Sequence, residues 1–271
     1  MSEIVLSAGV RSNLLQLQQT SDLITQTQDR LATGKRVNSA LDNPINYFTA
    51  QNLTTRANDL NSLLDSMSTA INTIQAANNG ISSLTKLVQS AQSLVSQAQQ
   101  TTDTTARASL ASQYDSIRTQ IDLLTGDSGL NGINLLNGDN LTVTMNDTGT
   151  STVTVSGVSD TSNGALSINA SSNNWAAGSD ITGASAQLTA ALTTLRSQSQ
   201  SLSANLQTVQ VRQDFTTAMI NTLQTGADNL TLADSNEEGA NLLALQTRQQ
   251  LSTTALSLAA QADQNVLRLF Q

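Results

Sequence analysis

Apolar side chains in this chain recur at alternating intervals of three and four over long runs. The longest comprises Leu60, Leu63, Met67, Ala70, Ile74, Ala77, Ile81, Leu84, Val88, Ala91, Val95 and Ala98, with no polar residue at any of these positions. That spacing keeps one stripe of a helix facing a partner, and the run exceeds the ~3–4 heptads beyond which coiled-coil packing is favoured over an ordinary amphipathic helix. Small Ala alternating with larger residues predicts a close approach of helices. After the polar break QQTTDTT a second seam runs Leu110, Tyr114, Ile117, Ile121, Leu124. A third runs Leu188, Leu192, Leu195, Ser199, Leu202, Leu206, Val209, Gln213, Thr216, Ile220, Leu223. Three such seams predict a bundle of long helices.

The two ends carry seams of their own. One runs Val10, Leu14, Leu17, Ser21, Ile24, Gln28, Leu31; the other runs Leu251, Ala255, Leu258, Ala262, Asn265, Leu269, with a second apolar edge at Leu256, Ala259, Val266 and Phe270. A helix that is apolar on two sides needs two neighbours. The N-terminal seam supplies one, and further copies of the same chain are the simplest source of the other.

Between the second and third helical seams the pattern changes. Residues 126–183 are rich in Gly, Ser, Thr, Asn and Asp, and no Lys or Arg occurs from 119 to 195. Within that stretch LTVTM (141–145) and STVTV (151–155) alternate around the turn-forming NDTGT, which predicts a small β-hairpin. The surrounding loops are expected to face solvent, with Trp175 a local packing anchor or a binding residue.

Composition then removes whole classes of function. Among 271 residues there is no His and no Cys, which eliminates the commonest general base, the commonest metal ligand and all thiolate chemistry. Glu237 and Glu238 are adjacent carboxylates, but at the start of a helix they complement its positive end. No Gly-rich phosphate-binding pattern is present. Catalytic, cofactor-binding and metal-binding residues are therefore expected to be absent. A net charge of -8 argues against nucleic acid. Aromatics make up only 2% of the chain, which suits thin, elongated packing better than a thick globular interior. No uncharged apolar run approaches the ~18 residues of a membrane span. The N-terminal stretch, with Glu3 and no sustained apolar run, does not read as a secretory signal.

The residues now carry a resemblance. LATGKRVNSALDNP (31–44) resembles the stretch with which bacterial flagellins leave their N-terminal helix. LNGINLL (130–136) resembles the family's F/L-N-G-x-x-L-L segment, and NEEGANLLALQTRQQLSTTALSLAAQADQNVLRLFQ (236–271) resembles its C-terminus. The likeness covers both ends and most of the helical seams, leaving about 137–183 unmatched. It implies a mainly α fold: a long antiparallel coiled-coil rod with a small β-hairpin insertion, its N- and C-terminal helices paired. In domains, 1–40 with 232–271 would form the terminal coiled coil of a filament core, and 41–231 the rod, with the hairpin and loops inserted at about 127–183.

The resemblance further implies a structural subunit that self-assembles into an extracellular flagellar filament for motility, exported unfolded through the flagellar type III apparatus. Its partners would be copies of itself, the filament cap, hook-associated junction proteins and an export chaperone, with no nucleic acid and no membrane insertion. The self-assembly residues would be Val10, Leu14, Leu17, Ile24, Leu31, Leu251, Leu256, Leu258, Val266, Leu269 and Phe270. The rod seam would be Leu60, Leu63, Met67, Ile74, Ile81, Leu84 and Val88. Where family members carry the charged patch Q-R-V-R-E-L-A-V-Q, read by innate receptors, this chain has QSAQSLVSQ, with Ser90, Gln92 and Ser93 in place of Arg, Arg and Glu. Two neighbouring readings are a hook-filament junction protein and a secreted coiled-coil translocator or adhesin.

Overall fold

The computed structural model describes residues 8–269; the side chains of Asp263 and of 266–269 lie outside the described part, as does Phe270. Five α-helices and one two-stranded sheet are present among the described residues. They are α1 (Ala8–Thr33), α2 (Pro44–Gln100), α3 (Thr104–Asp127), β1 (Leu141–Thr144), β2 (Thr152–Val155), α4 (Gly178–Thr231) and α5 (Ser235–Leu269). The chain divides into two compact units: residues up to Thr55 with those from Thr222 on, and Arg56–Asn221.

Helix boundaries follow local chemistry. Asn43 accepts the Asn46 amide at 3.0 Å and Pro44 opens α2, a cap followed by a residue whose φ is already helical and whose missing N–H costs nothing there. Asp103 caps α3 by accepting the Thr105 amide at 2.9 Å, so the polar break foreseen between the first two seams is a cap. Gly34 (φ 68°) takes the left-handed turn that ends α1, and its carbonyl accepts the Ala233 amide at 3.0 Å.

In the second unit the long seam forms the spine of the core. Leu60, Met67, Ala70, Ile74, Ala77, Ile81, Leu84, Val88, Ala91, Val95 and Ala98 are buried, and Leu63 is half-buried. Leu188, Leu192, Leu195, Leu202 and Val209 of α4 join most of them in one apolar cluster, with Thr216 and Ile220 buried farther along that helix. Burial of this kind contributes roughly 1.5–3 kcal/mol per large side chain. The polar seam positions make their own contacts: Gln213 Nε2 donates to Ser68 Oγ at 2.9 Å.

Helix α3 is turned slightly from the expected register. Ala111 and Thr125 are buried beside Tyr114 and Ile121, while Leu110, Ile117 and Leu124 are half-buried. The cause is a third neighbour, the segment after the hairpin. Asp122 accepts both the amide (2.6 Å) and the hydroxyl (2.8 Å) of Ser162. One heptad earlier, Asp115 grips Ser171 in the same way at 2.9 and 2.6 Å. Between them Arg118 donates to the Ile168 carbonyl at 2.9 Å, and Tyr114 Oη donates to that of Asn169 at 3.0 Å.

The expectation that these loops face solvent is therefore corrected. Leu166, Ile168, Asp160 and Ser162 are buried, and Trp175 is completely so, its ring tilted on Tyr114 with centroids 5.0 Å apart. The hairpin pairs Leu141 with Val155 and Val143 with Val153, which places an apolar face on the same core.

Candidate functional site

Helices α1 and α5 pack on each other along the first unit. On α1 the covered positions are Val10, Asn13, Leu17, Thr20, Ile24, Thr27 and Leu31; Val10, Thr20 and Thr27 are buried and the rest half-buried. Three of the seven expected seam positions are thereby shifted by one residue: Leu14 is 40% exposed, and Ser21 and Gln28 are exposed, where Asn13, Thr20 and Thr27 are covered. Steps of three then four and of four then three both follow a helical stripe, so spacing alone does not choose between them. Thr20 is tolerated inside because its hydroxyl donates to the Gln16 carbonyl of its own helix at 2.8 Å.

The same inversion holds on α5. Glu238, Leu242, Leu245, Gln249, Ser252, Leu256 and Ala259 are its covered positions, so the edge expected to need a second neighbour is the one turned inward. The assigned seam points out: Leu251 is 67% and Leu258 62% exposed, and Ala255, Ala262 and Asn265 are exposed. The side chains of Val266 and Leu269, and Phe270 altogether, fall outside the described residues. One charged contact joins the pair, Arg30 Nη1 donating to Glu238 Oε1 at 3.0 Å. Asp234 opens α5 by accepting the Asn236 amide at 2.8 Å, which sets Glu237 and Glu238 in its first turn.

The pair thus hides threonines, a glutamine and a serine along with its inner leucines, and presents further leucines outward. Leu15 (56%), Leu23 (45%) and Leu243 (67%) add to Leu14, Leu251 and Leu258 on that outer surface. Leu41, Ile45 and Phe48, at and just before the start of α2, are exposed in the same unit. Large apolar surface of this extent is rare on a protein that works alone. In the loop leading to α2, Asp42 accepts the amides of Ser39 (2.9 Å) and Asn38 (3.0 Å), and these bonds hold its carboxyl below the usual carboxylate range.

In the second unit Ser90 and Ser93 are exposed and Gln92 half-exposed, with the Ser93 hydroxyl turned back to the Gln89 carbonyl at 3.1 Å. Among the described residues no cluster of His, Cys, Asp or Glu is arranged to hold a metal ion, and no helix is long and apolar enough to cross a membrane.

The family profile for the bacterial flagellin N-terminal helical region matches residues 8–141. Along its whole length the chain is 30% identical to flagellin FljM of Caulobacter vibrioides, the 275 aligned residues covering 100% of this chain and 99% of that relative. Flagellin FljN of the same organism is 31% identical with the same coverage. A stretch of 49 residues, 18% of this chain, is 51% identical to flagellin A of Rhizobium meliloti, of which it spans 12%. Paired terminal helices that expose several leucines, a second unit of long helices carrying one hairpin, and full-length likeness to such relatives lead to one conclusion: the chain belongs to the bacterial flagellins, structural subunits of the extracellular flagellar filament.

Proposed function

We propose that the outer surface of the α1–α5 pair is the assembly surface, covered in the filament by neighbouring copies of this chain. The observation that carries this reading is the exposure of Leu14, Leu15, Leu23, Leu243, Leu251 and Leu258 on a pair whose inner seam holds several polar residues. Each leucine buried on assembly contributes roughly 1.5–3 kcal/mol, repeated at every copy. The terminal pair, 1–40 with 232–271, then forms the filament core and 41–231 the rod, whose seam from Leu60 to Val88 holds the subunit together.

No catalysis is assigned to the chain. Glu238 is engaged with Arg30, and the chain has no His, the commonest general base. The cap, the hook-associated junction proteins and an export chaperone are further partners on the strength of the family likeness. The polar Ser90, Gln92 and Ser93 offer an innate receptor no charge to pair with.

Replacing Leu251 and Leu258 together by Asp tests the central claim. The double variant is expected to keep its helical circular dichroism yet fail to extend filament seeds in light scattering and electron microscopy. Normal elongation would remove this surface from the assembly contacts.

A further inference from the structure

Asp160 is completely buried in the second unit, and neither of its carboxylate oxygens has a hydrogen-bond partner. The amide of Gln198 on α4 is in the same condition, with both Nε2 and Oε1 buried and unpartnered. The two residues line one cavity of about 40 Å³, together with Leu135, Leu136, Ser201 and Leu202. Ser156, Val158 and Ser201 are exposed, so the cavity has an accessible rim.

The position of Asp160 is not accidental. Its amide donates to the Leu136 carbonyl at 2.7 Å, and its carbonyl accepts the Thr125 hydroxyl at 3.1 Å. Two elements therefore fix the backbone while the side chain is left unsatisfied. Buried polar groups are nearly always paired, and a buried charge is expected to be paired or to coordinate an ion. Among the described residues the ion pairs are Arg30–Glu238 and Arg56–Asp147, and no side-chain cation sits on Asp160. Burial pushes its carboxyl up to about 6, the mark of a negative charge stripped of water.

We propose that the Asp160–Gln198 cavity is a binding site for an alkali-metal cation, held by the Asp160 carboxylate and the Gln198 carbonyl oxygen and completed by water. The charge count selects the class. One carboxylate neutralises one positive charge, whereas Ca²⁺ would keep an uncompensated charge in a desolvated site and would seek six to eight oxygens. The volume agrees, since a water occupies ~10–15 Å³ by this measure and the cavity thus holds an ion with about two waters. An occupied site would tie the segment after the hairpin to α4.

The test is thermal unfolding of the full-length monomer, followed by fluorescence of its single Trp175, in sodium, potassium or choline chloride at equal ionic strength. Choline is too large for the cavity. Sodium or potassium is expected to raise the midpoint by several degrees over choline, and the rise should keep growing with the logarithm of the salt concentration, because a ligand that binds the folded state alone stabilises it in that way. Asp160→Asn should abolish the difference between salts, and Asp127→Asn, at an exposed carboxylate of the same unit, should keep it. ²³Na line broadening on the wild-type monomer, reversed by potassium and not by choline, gives the same answer without a variant. Equal midpoints in all three salts, or a difference that survives in Asp160→Asn, would overturn the site and leave Asp160 a neutral acid facing Gln198.

Discussion

Arg30 and Glu238 meet at 3.0 Å between α1 and α5, their side chains 27% and 8% exposed. A pair this sheltered from solvent differs from a surface ion pair, because removing the carboxylate strands a largely covered guanidinium. Glu238→Ala should lower the opening free energy of α1 and α5 by about 2 kcal/mol, the range for a hydrogen bond to a charged group. Glu238→Gln, which keeps an acceptor, should cost less than half of that. Hydrogen exchange of the α1 amides reports both values, and equal protection in wild type and Glu238→Ala would make the contact incidental.

The polar residues of the inner seam have a kinetic consequence. Thr20, Thr27, Gln249 and Ser252 occupy places that Leu, Ile and Val hold in the rod, so the terminal pair should open more readily than the rod core. Trypsin acting on monomer is expected to cut first at Arg11, Arg30, Lys35, Arg36 and Arg248, leaving a fragment of about residues 37–248. Assembled filaments should resist at those sites. Identical cleavage order and rates in monomer and filament would show the pair closed before assembly.

Gly80 should reverse the usual helix rule. In mid-helix Gly→Ala normally gains up to about 1 kcal/mol. Here a Cβ would lie 2.6 Å from Leu136 Cδ1 and 2.6 Å from Ser128 Oγ. Leu136 is buried and the Ser128 hydroxyl is tied to the Leu124 carbonyl at 2.7 Å, so neither can yield freely. Overpacking of this kind costs about 1–3 kcal/mol, and Gly80→Ala is expected to lower the melting temperature. A higher one would mean that the loop over α2 gives way.

Tyr114 makes the rod sensitive to alkali. Burial against Trp175 and the nearby Asp115 carboxylate push its phenol from 10.0 up to about 12. The folded state therefore holds this proton more tightly than the unfolded chain does. The Tyr114 contribution to stability should be constant below pH 10 and be lost as pH rises from about 10 to 12. The difference in absorbance titration between wild type and Tyr114→Phe isolates the group. A midpoint near 10 would place the hydroxyl in water.

The long seams were readable from the chain because each belongs to a helix that turns one stripe inward. From Leu60 to Ala98 every seam residue is at least half-buried, and from Leu188 to Leu223 the same holds. Periodicity of 3.6 and burial on one side are the same physical fact there. The hairpin was readable as well, since alternation and a turn-forming NDTGT are local signals.

What periodicity left open was which of two adjacent stripes a helix turns inward. On α1 and α5 both candidates follow helical spacing, and the tertiary pairing takes the more polar one, sending Leu14, Leu251 and Leu258 outward. A sequence rule that places the most apolar stripe inside fails on these two helices. The grips of Asp122 on Ser162 and Asp115 on Ser171 span 40 and 56 residues, and polar pairs at such separations leave no periodic trace. The same is true of Asp160, an aspartate in a Gly- and Ser-rich stretch. Only the packing of that stretch onto α3 and α4 sealed it from water, because burial is a property of what surrounds a residue and cannot be written in the residue alone.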